Sequence, residues 1–272
     1  MDNTLKISRS NFDALGRRYE KAVNIIIEKE VIADVDCYWF FKNGTKPNNR
    51  VIIYLHGGCF MLGSIHSHQA LVSHFVKGLD IPILFIEYSL APENPYPSAI
   101  HEIVKVYHHI LHKTQLLDIT IMGDSAGAGL ALSVISHLNT GKIEKPHHLV
   151  MLSPWVDLRC SNNSIMQNAA IDPILTKEEL QTFASMYLGN RILPDVNPIE
   201  TMVGNYPPTL ILVGSLEILL DDSKMVCAKI TETQPATTLS VYDNQTHVWL
   251  LDDINTESSK NAIVEIGNFI NK

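Results

Sequence analysis

The stretch Ile119-Thr120-Ile121-Met122-Gly123-Asp124-Ser125-Ala126-Gly127 constrains the fold of this chain more than any other. A β-branched run ends in Gly-x-Ser-x-Gly, and small residues suited to a closely packed helix follow as far as His137. That is a strand, a tight turn and a helix. So sharp a turn strains the backbone of the residue at its apex, so only glycines fit beside it, and it thrusts the serine hydroxyl clear of the sheet. Ser125 is therefore the candidate nucleophile. Taken alone, the pattern also describes an ordinary loop before a helix, so the rest of the chain must supply its partners.

The remaining pattern sets the architecture. Residues 50–55 (Arg-Val-Ile-Ile-Tyr-Leu) form the solid apolar run of a strand buried on both faces. Strands expected at 81–87, 118–122, 147–152, 209–213 and 239–242 then alternate with helices at 71–79, 98–112, 125–139 and 257–270. This rhythm predicts an α/β fold with a mostly parallel central sheet flanked by helices and ligands at the carboxyl ends of the strands. Ser125 occupies such an end. Upstream, Phe12, Leu15, Tyr19, Val23, Ile26 and Ile27 recur near helical spacing and predict an amphipathic helix over 10–30. Residues 31–41 alternate as a strand, Asn43-Gly44 turns, and the strands at 31–41 and 50–55 are expected to pair as a hairpin. Between Asp157 and Tyr206 no strand is evident and helices are expected at 161–167 and 177–188; an insertion of this length reads as a lid or pocket wall. The chain, 1–272, thus reads as one domain with cap elements from about 1–30 and 157–206.

Composition narrows the partners. A net charge of −8 without any Lys/Arg cluster argues against nucleic acid and anionic membrane surfaces. The N-terminal segment lacks the apolar core of a signal peptide, and nothing approaches a membrane span. Cys37, Cys59, Cys160 and Cys227 show neither close pairing nor metal-type spacing, which suits free thiols, so a cytoplasmic protein is expected. Nothing in the sequence specifies an assembly, although a homodimer is compatible with it.

A serine hydroxyl is a poor nucleophile at neutral pH and requires a histidine to take its proton and a carboxylate to orient that imidazole. Donors for an oxyanion are suggested by Tyr54-Leu55-His56-Gly57-Gly58-Cys59-Phe60, where a strand runs into a glycine turn and backbone N–H groups can approach a substrate oxygen. No Lys-Ser/Thr follows, which counts against a phosphate cradle. Of twelve histidines, His247 stands out because it follows the last strand directly and can hang over the carboxyl edge. His108 and His112 share a helix face without the carboxylate of a His-Glu-x-x-His site, so no metal is expected there, and the serine chemistry itself requires neither a metal nor an organic cofactor. His66, His68, His74, His101, His137, His147 and His148 read as surface or boundary residues. After the strand at 209–213, Glu217, Asp221 and Asp222 compete as the acid, with helix N-capping as the other role open to Asp222. The order serine, acid, histidine is the one this hydrolase arrangement requires.

These residues together resemble the hormone-sensitive-lipase-like branch of the α/β-hydrolase esterases. The resemblance rests on His56-Gly57-Gly58, Gly123-Asp124-Ser125-Ala126-Gly127, Tyr88-Ser89-Leu90-Ala91-Pro92-Glu93 with Tyr96-Pro97, Ser153-Pro154-Trp155 and His247. It implies an ester hydrolase working through an acyl-serine, with Ser125 as nucleophile, His247 as base, oxyanion donors from Gly58, Cys59 and Ala126, and a structural His56 bracing the glycine turn. It also implies that the acid falls on Glu217, where the family carries aspartate in an Asp-x-Leu-x-Asp pattern whose second acid is Asp221. Cys59 replaces the usual glycine or alanine, and Val248-Trp249 replaces a glycine-aromatic pair, which alters pocket shape. Phe60, Met61, Leu62, Trp155, Phe183, Met186, Tyr187 and Trp249 are the expected substrate-pocket walls, and their bulk predicts short acyl chains, acetyl to butyryl, on a small-molecule ester. The same triad would also serve an amidase or peptidase, and the fold alone would serve a non-catalytic ligand-binding relative.

Overall fold

The apolar runs become strands. The computed structural model describes residues 3–44, 49–113 and 118–272. Helix α1 (Asn3–Asp13) and a 3-10 turn (Ala14–Arg17) precede β1 (Ile25–Ile32) and β2 (Val35–Lys42). Next come β3 (Arg50–Leu55), α2 (Ile65–Leu79), β4 (Ile83–Ile86), α3 (Ser98–Lys113), β5 (Asp118–Asp124), α4 (Ala126–Gly141) and β6 (His148–Leu152). The segment after β6 carries α5 (Asn163–Gln167), α6 (Lys177–Leu188) and a 3-10 turn (Leu193–Asp195). The chain ends with β7 (Thr209–Gly214), α7 (Leu220–Thr231), β8 (Thr237–Tyr242), α8 (Trp249–Asp252) and α9 (Glu257–Ile270).

Among the described residues eight strands lie in the order β1-β2-β4-β3-β5-β6-β7-β8. Of their pairings, β1/β2 and β2/β4 are antiparallel and the other five are parallel. Because successive side chains point to opposite faces, one apolar run feeds two cores. Val51, Ile53 and Leu55 of β3 join the cluster that includes α3 and α4 residues, while Ile52 and Tyr54 join the one that includes α2 and α9 residues. β6 divides likewise, Leu149 and Met151 to the first and Val150 and Leu152 to the second. Such double burial is why these strands read as unbroken hydrophobic stretches. Among the described residues no helix is long and apolar enough to cross a membrane.

Two expectations at the N-terminal end are corrected. The helix predicted over 10–30 stops at Asp13, and residues 25–32 are strand β1. Residues 31–41 do not pair with 50–55; β2 forms its hairpin with β1 and lies beside β4. The tight connection is Ala33-Asp34, both left-handed at φ 51° and 69°, which matches the right-handed twist of the strands it joins.

The strand–helix junction at β5 and α4 is packed against backbone. A Cβ at Gly127 would lie 2.1 Å from the Leu55 carbonyl oxygen and 2.5 Å from that of His56. Neither can yield without moving β3. Gly127→Ala is expected to destabilise the protein by about 2–3 kcal/mol and to lower Tm by roughly 5–10 °C, read by thermal denaturation. A melting curve that superimposes on wild type would contradict this packing.

Candidate active site

Four loops at the carboxyl edge of the sheet meet at Ser125. The first follows β5. Ser125 sits at φ 50°, ψ −119°, between strand and helix, a sterically costly conformation for any residue with a Cβ. Backbone bonds on both sides hold it: its N–H donates to Leu152 O at 2.8 Å, and its carbonyl accepts from Trp155 N–H at 3.1 Å. The strain directs the hydroxyl toward His247, whose Nε2 is 2.9 Å from Ser125 Oγ.

His247 comes from the loop after β8, and its Nδ1 is 2.7 Å from Glu217 Oε2. Glu217 follows β7 and is fully buried. Its other oxygen, Oε1, accepts from Gly214 N–H at 2.6 Å and from Ser153 Oγ at 2.7 Å. Ser153 in turn accepts from Val248 N–H at 3.1 Å, so one hydroxyl from the end of β6 ties the carboxylate to the chain that carries the imidazole. Burial works against a charged imidazole, but the hydrogen bond and negative charge of Glu217 outweigh it and raise the His247 pKa above the ordinary 6.5.

Of the three competing carboxylates, only Glu217 reaches the histidine. Asp221 accepts from Ser164 N–H at 2.9 Å and pairs with Lys224 at 2.9 Å. Asp222 accepts from the Val156 and Asp157 N–H groups at 2.9 and 2.8 Å and from Asn162 at 2.6 Å. Both therefore hold the segment after β6 rather than the imidazole. The extra methylene of Glu217 does not misplace its carboxylate.

The fourth loop follows β3. Gly58, Cys59 and Phe60 are left-handed, at φ 113°, 56° and 64°. Among the described residues, the N–H groups of Gly58, Cys59 and Ala126 donate to no protein acceptor, and all three residues adjoin the Ser125 turn or line its cavity. Burial pushes the Cys59 thiol up to about 12, so it stays protonated beside the cavity. His56, fully buried, stacks on Tyr88 at 4.3 Å between ring centroids and places Nδ1 2.8 Å from Gly57 O.

Sequence reasoning missed three contributors. Asp124 is buried and accepts from Tyr54 Oη at 2.7 Å and Gly57 N–H at 2.9 Å, with His68 Nε2 at 3.4 Å. It thereby stitches the nucleophile turn to the glycine turn. Burial alone would favour its neutral form, but His68, Tyr54 and His56 together hold its carboxyl below the usual range. His68, expected at the surface or boundary, is fully buried in this network. Ser153 was visible only as part of a Ser-Pro-Trp tripeptide, and nothing local announces that it bonds a residue 64 positions later.

A cavity of about 430 Å³ opens over Ser125. Its apolar wall comes from Phe12 and Leu15 near the N-terminus, Leu62 of the glycine loop, Pro173 to Leu175, Leu180 and Phe183 after β6, and Val248 and Leu251 beside the base. Arg18 and Asp252, which form an ion pair, complete the rim. Val248 adopts φ 47°, ψ 48°, a conformation β-branched residues rarely take. Of the expected walls, Leu62 and Phe183 lie here, beside Gly58 and Cys59. Phe60, Trp155, Tyr187 and Trp249 do not: Phe60 stacks on Tyr187 at 3.9 Å and approaches Trp155 at 5.3 Å, and Trp249 packs on Tyr242 at 4.7 Å. Ring-on-ring packing in the core accounts for these side chains instead: all four are buried. Met61 and Met186 line a separate cavity nearby.

A model of the alpha/beta hydrolase fold family matches residues 52–251. An esterase of Acinetobacter venetianus is 34% identical over 224 residues, covering 81% of this chain and 74% of the relative. An acetyl-hydrolase of Streptomyces hygroscopicus is 32% identical over 207 residues, covering 75% and 69%. The crystal structure of an esterase from the bacterial hormone-sensitive lipase family superimposes with a TM-score of 0.94 at 29% identity, covering 99% of this chain and 92% of that one. The chain belongs to the α/β-hydrolase fold family, in its hormone-sensitive-lipase-like branch.

Proposed function

We propose that this protein is a serine carboxylesterase that hydrolyses small-molecule esters of short acyl chains through an acyl-serine intermediate. The observation that carries the reading is the unbroken relay from Ser125 Oγ to His247 Nε2 at 2.9 Å and from His247 Nδ1 to Glu217 Oε2 at 2.7 Å. Relatives named esterase and acetyl-hydrolase support an ester bond as the target and a small acyl group on it.

In this mechanism His247 takes the Ser125 proton as Oγ attacks the ester carbonyl. The oxyanion is held by N–H groups of Gly58, Cys59 and Ala126, each such donor contributing about 10²- to 10³-fold in rate. The amino end of α4 adds favourable potential at the same point. His247 then protonates the departing alcohol, and water repeats the sequence to release the acid and free the serine. Helix α1 and residues 157–206 act as the cap, since both contribute to the cavity wall.

A panel of p-nitrophenyl esters of graded acyl length tests the reading, and turnover should be greatest from acetyl to butyryl. Activity rising steadily into long chains would overturn the short-chain assignment. The pH profile supplies a second check. A protonated His247 cannot accept the Ser125 proton, and its pKa is raised, so kcat/KM is expected to fall on acidification with a midpoint above 6.5. A profile flat from pH 5 to 8 would exclude His247 as the base.

A further inference from the structure

A second cavity, of about 410 Å³, lies beside the first and is used by no step of the proposed chemistry. Its lining is mainly apolar, with Leu5, Met61, Pro92 and Met186 prominent. Two helices run past both cavities. Along α1, Leu5 lines the second cavity, Ser8 lines both, and Phe12 lines the first. Along α6, Leu180 lines the first, Phe183 lines both, and Met186 lines the second. The spacing of three and four residues puts each set on one helix face, and Ser8 and Phe183, which line both cavities, stand at the boundary between them. Serine is small, and the phenyl ring supplies the bulk of the partition.

The boundary is anchored on the α1 side. Arg9 donates to Met61 O at 2.8 Å and Ala91 O at 2.9 Å, and its guanidinium pairs with Glu93 at 2.8 Å. These bonds fasten α1 to the glycine loop and to the proline-rich loop after β4. Phe183 is held from the other side by its helix, whose neighbouring residues Leu180, Ala184 and Tyr187 are buried.

We infer that Phe183 sets the acyl-length limit by closing the Ser125 cavity off from a second apolar cavity that would otherwise receive the distal part of a medium or long unbranched acyl chain. The inference rests on the esterase reading above. Removing the ring joins the two spaces, and each methylene then taken from water favours the longer ester by about fourfold.

The test is kcat/KM for p-nitrophenyl butyrate and decanoate with wild type, Phe183→Ala, Phe183→Leu and the double variant Phe183→Ala/Leu5→Trp. The decanoate-to-butyrate ratio is expected to rise at least about tenfold in Phe183→Ala, less in Phe183→Leu, and to fall back when Leu5→Trp refills the second cavity. Thermal melting establishes which variants fold, and Phe183→Leu carries the comparison if the alanine variant does not. The inference is overturned if folded Phe183 variants keep butyrate turnover with a ratio within twofold of wild type. It is also overturned if they lose butyrate turnover altogether, or if wild type already accepts decanoate as well as butyrate. Wild type that turns over no ester at all defeats the esterase reading itself, and the inference with it.

Discussion

Ser125→Ala is expected to lower kcat for p-nitrophenyl butyrate by roughly 10⁴- to 10⁶-fold, the scale lost when a triad nucleophile is removed. Among the described residues no other hydroxyl is placed as Ser125 is, at the apex of the turn with Oγ 2.9 Å from His247 Nε2, so none can take over. The loss should not come from unfolding. Alanine keeps the Cβ at φ 50°, so the backbone strain of the turn is retained rather than changed, and Leu152 O and the Trp155 N–H continue to hold it. Thermal melting of the variant is expected to match wild type within a few degrees. A fluorophosphonate probe followed by peptide mass spectrometry should label Ser125 in wild type and nothing in the variant. Retention of more than about a tenth of the activity in pure Ser125→Ala would end the acyl-serine mechanism.

The parts of the fold that the sequence discloses are those with a local signal. The apolar runs of β3, β4 and β5 are buried on both faces and therefore unbroken, and the Gly-x-Ser-x-Gly turn states its own geometry. What stayed hidden depended on contacts between distant residues, or on turns built without their customary residues. The β1/β2 hairpin is an example of the second kind. Its connection is Ala33-Asp34, both at positive φ, where Asn-Gly or Asp-Gly would have announced the turn. Asn43-Gly44 offered that stronger signal ten residues later and attracted the hairpin to the wrong strand. Val23, Ile26 and Ile27, meanwhile, fall in phase with Phe12, Leu15 and Tyr19 and read as one helix.

The candidate site divides the same way. Ser125 and His247 are legible because each follows a strand at the carboxyl edge. The supporting bonds are not. Asp124 meets Gly57 across 67 residues and Tyr54 across 70, and composition gives no hint of either. The large aromatics misled for a physical reason: a ring near the site can face the cavity or the core, and Phe60, Trp155 and Tyr187 satisfied one another in the core. The walls that did form come from medium-sized residues such as Leu175, Leu180 and Val248. On the proposed reading, short-chain preference depends less on crowding by core aromatics than on the boundary at Phe183, which lines both cavities.

Glu217→Gln is expected to reduce kcat by roughly 10³- to 10⁴-fold, whereas Asp221→Asn should stay within about threefold of wild type. The reasoning turns on which end of the glutamine amide faces which partner. Glu217 Oε1 accepts from the Gly214 N–H, which can only donate, so the amide oxygen must take that side. Its NH₂ then faces His247 Nδ1. The imidazole is forced into the tautomer with an unprotonated Nδ1 and a proton on Nε2, and Nε2 can no longer accept the proton of Ser125. Loss of the Glu217 charge also removes the main influence that lifts the His247 pKa against burial, so the acid limb of kcat/KM should move to lower pH in the residual activity. Asp221 touches neither residue. Its carboxylate serves Ser164 N–H and Lys224 near the surface, where an exposed ion pair contributes about 0–1 kcal/mol to stability. The opposite outcome, Asp221→Asn inactive and Glu217→Gln active, would assign the orienting acid to Asp221 and require a loop arrangement different from the one that places Glu217 2.7 Å from the imidazole.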